Sequence, residues 1–289
     1  MYELIVQEEK RRDRLPLAQL CRALSVSRAD YYRWAAQGTP QIEADLQLRD
    51  QIQQIALEMP AYGYRRITHE LRRRGVFTNH KRVLRLMRED HLLCLRKKSW
   101  VNTTNSDHGL KVYPNLLPQL EVNGLDQLWI ADITYVRLPG EFVYLAVLWD
   151  AWSRRCLGWA LEHYLEAELA LSALQMALER RTMQPGLVHH SDRGVQYACA
   201  EYTKLLRQHE IRISMGRRGN PYDNAQAESF IKTLKYEEVY LYEYEDLAEA
   251  QARIGHFLEE VYKEKRLHSA LGYMPPAEFE RRLVSQEVA

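Results

Sequence analysis

"LWIADITYVRLPGEFVYLAVLWD", residues 128–150, decides the fold. Its β-branched and aromatic residues fall in two runs, and "PGE" at 139–141 supplies turn chemistry between them. Two adjacent strands are predicted. "SRR" at 153–155 turns the chain again, and "CLGWAL" at 156–161 makes a third strand. Downstream the apolar period changes to that of a helix. Leu169, Leu171, Leu174, Met176 and Leu178 predict a long one over about 165–182. "GLVHHSD" at 186–192 reads as a short strand ending in a carboxylate, "AEYTKLLRQH" as a helix and "IRISM" at 211–215 as a fifth strand. "GNPYDNAQAESFIKTLKYE" at 219–237 opens as a loop and closes as a helix, with Asn224 placed to cap it. The order βββ-α-β-α-β-α predicts an α/β domain with a mixed sheet.

One residue sits badly in that pattern. Asp132 lies mid-strand among apolar neighbours, where a carboxylate is costly unless paired or bound to a metal. Asp192 directly follows the fourth strand. Glu228 falls on the first turns of the last helix, with Lys232 and Lys235 at +4 and +7 on the same face. Taken alone, that face reads more readily as an ordinary solvated Glu–Lys pair. The element order is that of RNase H-like folds, in which these three acidic positions converge at one end of the sheet. Three carboxylates without thiols suit a hard, oxygen-seeking ion, Mg²⁺ or Mn²⁺. Two such ions, roughly 3.5–4 Å apart, would clamp the attacking and leaving oxygens of a phosphodiester.

Upstream, the chain is all-helical in pattern and basic. Residues 1–100 hold 20 Lys and Arg against 12 Asp and Glu, whereas the remainder has 20 against 27. Such asymmetry suggests a polyanion partner, or a solvated basic surface. "LPLAQLCRALSVSRADYYRWAAQG" at 15–38 reads as helix, turn, helix, with Ser27 as N-cap and Asp30 three residues on. Its second helix carries Arg28, Tyr31, Tyr32, Arg33 and Trp34, suited to a major groove, although a plain helical hairpin has the same pattern. A further helix is expected over 43–58. "YGYRRITHELRRRGVFTNHKRVLRLMREDHLL" at 62–93 gives two more, broken at Gly75 and restarted near Asn79. Val83, Leu84 and Met87 form the expected buried side. Lys81, Arg85 and Arg88 form a basic stripe able to grip phosphates, and Arg72–Arg74 and Arg96–Lys98 add charge.

The expected divisions are a helix-turn-helix at 1–40, a second basic helical domain at 41–96, a linker at 97–124, the RNase H-like α/β core at 125–245 and a helical extension at 246–289. No apolar run approaches the ~20 residues of a membrane span, and the N-terminus shows no secretory core. Four scattered cysteines lack metal-site spacing, which fits a reducing cytoplasm.

Between Asp192 and Glu228 lie 35 residues. At that spacing the chain resembles the DDE transposase and retroviral-type integrase superfamily. More closely it resembles the second reading-frame product of IS3-family insertion elements. The resemblance rests on "YGYRRI" at 62–67, "WIADITYV" at 129–136, "LWDAWSRRCLGWAL" at 148–161, "HSDRGVQY" at 190–197, the 219–237 stretch and "RLHSALGYMPPAEF" at 266–279. It covers residues from about 45 to 280.

The resemblance implies that Asp132, Asp192 and Glu228 are the catalytic acids, holding two Mg²⁺ for which Mn²⁺ can substitute. It implies that Lys232 and Lys235 contact DNA near the cut end and that Asn224 touches the terminal nucleotides. His190 and Arg193 lie beside the site, and Arg28, Arg33, Arg65, Arg66, Lys81, Arg85 and Arg88 are the further candidates for DNA contact. The implied activity is cleavage and strand transfer at the element's terminal inverted repeats, by a homo-oligomer on DNA, in a bacterial cytoplasm at the nucleoid. Target DNA and an upstream reading-frame product are further expected partners.

Two features depart from the family pattern: Ala131 precedes the first Asp where Thr is usual, and a helix-turn-helix near 15–37 stands without a heptad run. A non-catalytic DNA-binding regulator of the element is the alternative, and a nuclease acting on RNA–DNA hybrids is a third. Arg154 and Arg155 are expected to form a solvated turn. Arg266 and His268 match a tail motif whose role the sequence does not give.

Overall fold

The computed structural model describes residues 2–9, 15–93, 110–182, 185–217 and 225–287. Gly219 to Asn224 and Arg96–Lys98 lie outside the described residues. The chain forms two compact units, Met1–Cys94 and Leu95–Ala289.

The first unit is all α: α1 (Tyr2–Glu9), α2 (Leu17–Ala23), α3 (Arg28–Glu58), α4 (Tyr64–Arg73) and α5 (His80–Glu89). Ser27 caps α3 as its sequence predicts, its Oγ accepting from the Asp30 N–H at 3.0 Å. Ile5, Leu20, Cys21 and Tyr31 close a small core among α1, α2 and the start of α3. The helix expected over 43–58 is not separate. It is the second half of α3, which runs unbroken through Gly38 and Pro40 and across the 40/41 division. Ile52 and Ile55 of α3, Ile67 and Leu71 of α4, and Val83, Leu86 and Met87 of α5 are all buried. Leu86, not Leu84, completes the inner side of α5, because i, i+3, i+4 from Val83 passes through it. Asn79 caps α5 through the Lys81 N–H, and Gly75 at φ +84° ends the α4 turn.

The second unit is an α/β core. Strands β1 (Leu128–Leu138), β2 (Glu141–Asp150), β3 (Cys156–Glu162), β4 (Val188–Ser191) and β5 (Arg212–Met215) form one sheet in the order β3-β2-β1-β4-β5. β1, β2 and β3 are antiparallel, while β4 and β5 run parallel to β1. The mixed sheet is the one predicted. Strand alternation splits β1 between two cores. Leu128 and Ile130 pack on one face with α9 (Ala225–Leu234) and α10 (Leu247–His256). Trp129 and Ala131 pack on the other with α6 (Ala167–Arg180), the short α7 (Val195–Ala198) and α8 (Ala200–Gln208). Gly158 of β3 makes that second layer possible. A Cβ there would stand 1.9 Å from the Ala173 carbonyl oxygen of α6.

α9 continues as a π-helical turn over Lys235–Val239, and α10 likewise over Phe257–Lys265. A last helix, α11 (Pro276–Glu287), closes the chain. Ile254, Phe257, Leu258 and Tyr262 enter the same apolar core as the sheet, so the C-terminal helices are part of this unit's packing. Among the described residues no helix is long and apolar enough to cross a membrane.

Candidate active site

The parallel pairing of β1 with β4 matches Leu128 to Val188, Trp129 to His189 and Ile130 to His190. Carried two residues further, that register sets Asp192 beside Asp132. β4 ends at Ser191, so β1 runs on there without a neighbour on that side, and the two carboxylates meet the open end of the sheet. Alternation puts Asp132 on the face of Leu128 and Ile130, which is the face α9 covers. α9 brings Glu228, on its exposed side, and then Lys235.

The electrostatics tie these groups together. Burial and the neighbouring Asp192 and Glu228 carboxylates push Asp132 up to about 8, against the relief of the Ile133 N–H and Lys235. Lys235, half-buried, is pulled down by desolvation and held up by Asp132. Its ammonium stands 4.2 Å from the centroid of the Tyr135 ring. Asp192 is fixed by the loop after β4, its Oδ1 accepting from the Gly194 N–H at 2.8 Å. A Cβ on Gly194 would lie 3.0 Å from that oxygen, so a side chain there would crowd the acid. Among the described residues no three carboxylate, imidazole or thiol groups already form a closed cage for an ion. Burial and the neighbouring carboxylates, only partly offset by Lys235, are a cost that a bound cation would relieve, and carboxylate oxygens are the donors that Mg²⁺ and Mn²⁺ take.

Other expected site residues fall in several places. Lys232 is exposed on α9. His190 is fully buried, its Nδ1 within 2.8 Å of Ser214 Oγ, so it braces β4 against β5 and offers no surface to DNA. His189 is neutral, held near 3 by burial, and meets the Tyr202 hydroxyl at 2.9 Å. Arg193 donates from Nε to the Gly216 carbonyl. Asp150 is a structural acid, accepting the Asp126, Trp152 and Ser153 N–H groups.

The expected solvated turn at 154–155 is overturned. Arg154 donates to Gln226 on α9 at 2.6 Å, and Arg155 pairs with Glu280 on α11 at 2.5 Å. These partners lie 72 and 125 positions away, and nothing in the local sequence announces them.

In the helical unit, Arg28, Lys81 and Arg88 are exposed. Arg33 pairs with Asp30 at 3.3 Å, and Arg65 and Arg66 lie against the Tyr64 and Tyr62 rings. Arg85 is exposed but compensated, bonded to Asp45 at 2.8 Å and Glu89 at 2.9 Å, which lowers its value as a phosphate contact. Tyr31, expected on the reading face, is buried, and its neighbour Tyr32 is exposed.

A five-stranded mixed sheet in the order β3-β2-β1-β4-β5, covered by helices on both faces, is an integrase-type core. A family described as an integrase core domain matches residues 123–221, and a second of the same description matches 209–276. An HTH-like domain family matches 43–100. The transposase InsF of insertion sequence IS3A from Escherichia coli K12 is 35% identical over 280 residues, covering 95% of this chain and 97% of that protein. A 31 kDa protein of insertion element IS600 from Shigella sonnei is 36% identical over 266 residues, covering 91% and 98%. The chain belongs to the IS3 family of insertion-sequence transposases, DNA-acting polynucleotidyl transferases. Among solved structures, the catalytic core of BIV integrase is 18% identical at a TM-score of 0.44, covering 57% of this chain and 99% of that one. The HTLV-2 integrase core in complex with magnesium is 16% identical at 0.41, covering 53% and 95%. Those two likenesses are too loose to bear on the site.

Proposed function

We propose that this transposase cleaves and joins DNA at its element's ends through Asp132, Asp192 and Glu228, which hold two Mg²⁺ or Mn²⁺ ions. The observation that supports this most is the β1–β4 register, which brings Asp192 beside Asp132 under the helix carrying Glu228. The ions, when bound, supply Lewis-acid polarisation of the phosphodiester and activation of the attacking oxygen. Asp132 presents its carboxylate from within β1, and Asp192 from the loop directly after β4. Glu228 approaches from α9, whose exposed side admits the DNA end. Lys232 meets the backbone phosphate beside the cut, while Lys235 holds charge next to Asp132. The attacking group is water in cleavage and a terminal 3′-hydroxyl in joining, with in-line displacement and no covalent protein intermediate.

The basic helices before residue 95 bind the terminal inverted repeats, with Arg28, Lys81 and Arg88 as the phosphate contacts most open to DNA. The enzyme acts as a homo-oligomer on paired ends and target DNA, at the bacterial nucleoid, with an upstream reading-frame product as a further partner.

The test is nicking and strand transfer on duplexes carrying the element end, with Mg²⁺, with EDTA and with Asp192→Asn. Metal-dependent joining should fall by several kcal/mol of transition-state stabilisation in the variant, on the order of 10³-fold or more. Tight binding without cleavage in any metal, even with the upstream product added, would leave a DNA-binding regulator instead.

A further inference from the structure

Arg266, from the tail motif at 266–279, is 3% exposed and faces inward. Its Nε donates to Glu237 Oε2 and its Nη2 to Glu237 Oε1, each at 2.7 Å, a two-pronged pair between planar groups. Glu237 belongs to the π-helical turn that extends α9, the turn that also carries Lys235. The guanidinium lies 5.6 Å from the centroid of the Tyr262 ring, and that ring meets Phe230 of α9 edge-on at 5.0 Å. Phe230 in turn stacks on Trp149 of β2, 4.7 Å between centroids and 6° from parallel.

The tail itself is a closed loop. His268 and Met274 form a bridge, the Tyr273 N–H returns to the His268 carbonyl at 2.8 Å, and Gly272 takes φ +63°. Arg266 lies two residues before His268, at the base of this loop.

We infer that Arg266 is a positioning residue for strand transfer: it clamps the far end of the helix that carries Glu228 and Lys235, and so sets their reach toward Asp132 and Asp192. The inference rests on the proposed catalytic acids. Arg266, being buried, is placed to act through the helix and not on DNA directly. A two-pronged buried pair fixes both distance and rotation, which a helix anchored only by apolar packing leaves softer. Losing one partner strands a buried charge and threatens the fold, whereas removing both leaves the fold much less affected.

The test therefore compares Arg266→Lys, Glu237→Gln and the double variant Arg266→Met/Glu237→Gln in the full-length protein. Three readouts are taken: thermal melting, binding of end DNA, and amide hydrogen exchange of residues 225–239 without metal or DNA. Strand transfer against Mg²⁺ concentration is the fourth. The double variant is expected to melt near the parent and bind end DNA equally. Exchange across 225–239 should accelerate while β1 and β2 stay protected. Joining should fall by about 10- to 100-fold with a higher half-saturating Mg²⁺, the scale seen when a metal ligand loses its support. Arg266→Lys, a point charge in place of a fork, should recover only part of the rate. A double variant with parental exchange and parental joining would overturn the clamp. Faster exchange in a protein whose parent never joins DNA would keep the clamp and refute the catalytic reading.

Discussion

Asp132 carries a visible electrostatic cost. Its carboxyl is held up to about 8 in the folded chain, against an ordinary value near 3.9 when unfolded. The folded state therefore binds this proton more tightly. Its stabilising contribution is full below about pH 4 and is lost as pH rises toward 8, at no more than about 1.4 kcal/mol per pH unit. In EDTA the melting temperature should drop between pH 5 and pH 8, and Asp132→Asn should flatten that limb. Added Mg²⁺ should raise the melting temperature most at pH 8. A parent and variant that melt in parallel across this range would show that Asp132 is not held as described. Gly194 gives a second prediction at the same scale. Gly194→Ala places a methyl 3.0 Å from Asp192 Oδ1 and 3.1 Å from Gln196 Oε1. The fold should survive and joining should be impaired, as read by melting and strand transfer on one preparation. Asp132 stood out in the sequence because a carboxylate inside an apolar strand is conspicuous, whereas Asp192 and Glu228 were singled out only through the element order and the family resemblance. The fate of His190 was not, since a histidine at a strand end reads the same whether it faces DNA or Ser214.

At the scale of elements, α9 is the part that has to be held. Phe230 seats it against Trp149, and a Phe230→Ala substitution should cost about 3–5 kcal/mol by cavity formation. Chemical denaturation would read that loss, and a change below about 1 kcal/mol would place the helix's anchorage elsewhere. β3 meets α6 at Gly158 with no room for a side chain. Gly158→Ala should destabilise by about 3 kcal/mol or more, because backbone, and not a flexible side chain, stands in the way. The helical unit supplies a comparison among its basic residues. Lys81→Ala and Arg88→Ala should each weaken end-DNA binding and make its salt dependence shallower by about 0.9 in log–log slope. Arg85→Ala should do less, because Asp45 and Glu89 already neutralise that charge. Anisotropy titrations at several salt concentrations would decide it; equal losses for all three would mean that DNA displaces the acids. The cap of α3 was legible from Ser27, and the start of α5 near Asn79, since a cap is a contact within three residues. The continuity of α3 was not, because Gly38 and Pro40 read as a break in any local window.

For the whole molecule, the sequence alone determined what short range can determine. The strand seeds at 128–161, the change of period into α6, the 35-residue interval between Asp192 and Glu228 and the basic front were all set by composition and spacing. The element order and its mixed sheet followed from them. Tertiary structure decided the rest. It chose the β1–β4 register that brings Asp192 to Asp132, and it left Lys81 and Arg88 exposed while engaging Arg85 with acids 40 and four positions away. It also turned an expected solvated turn into two anchors and gave the unexplained tail motif a partner in Glu237. The physical reason is one of range. Periodicity and caps are written over a few residues, where the chain's own geometry fixes who meets whom. An arginine's partner is fixed only when distant segments pack, and its chemistry is the same in solvent, in a carboxylate's grip or against a phosphate until that packing is known.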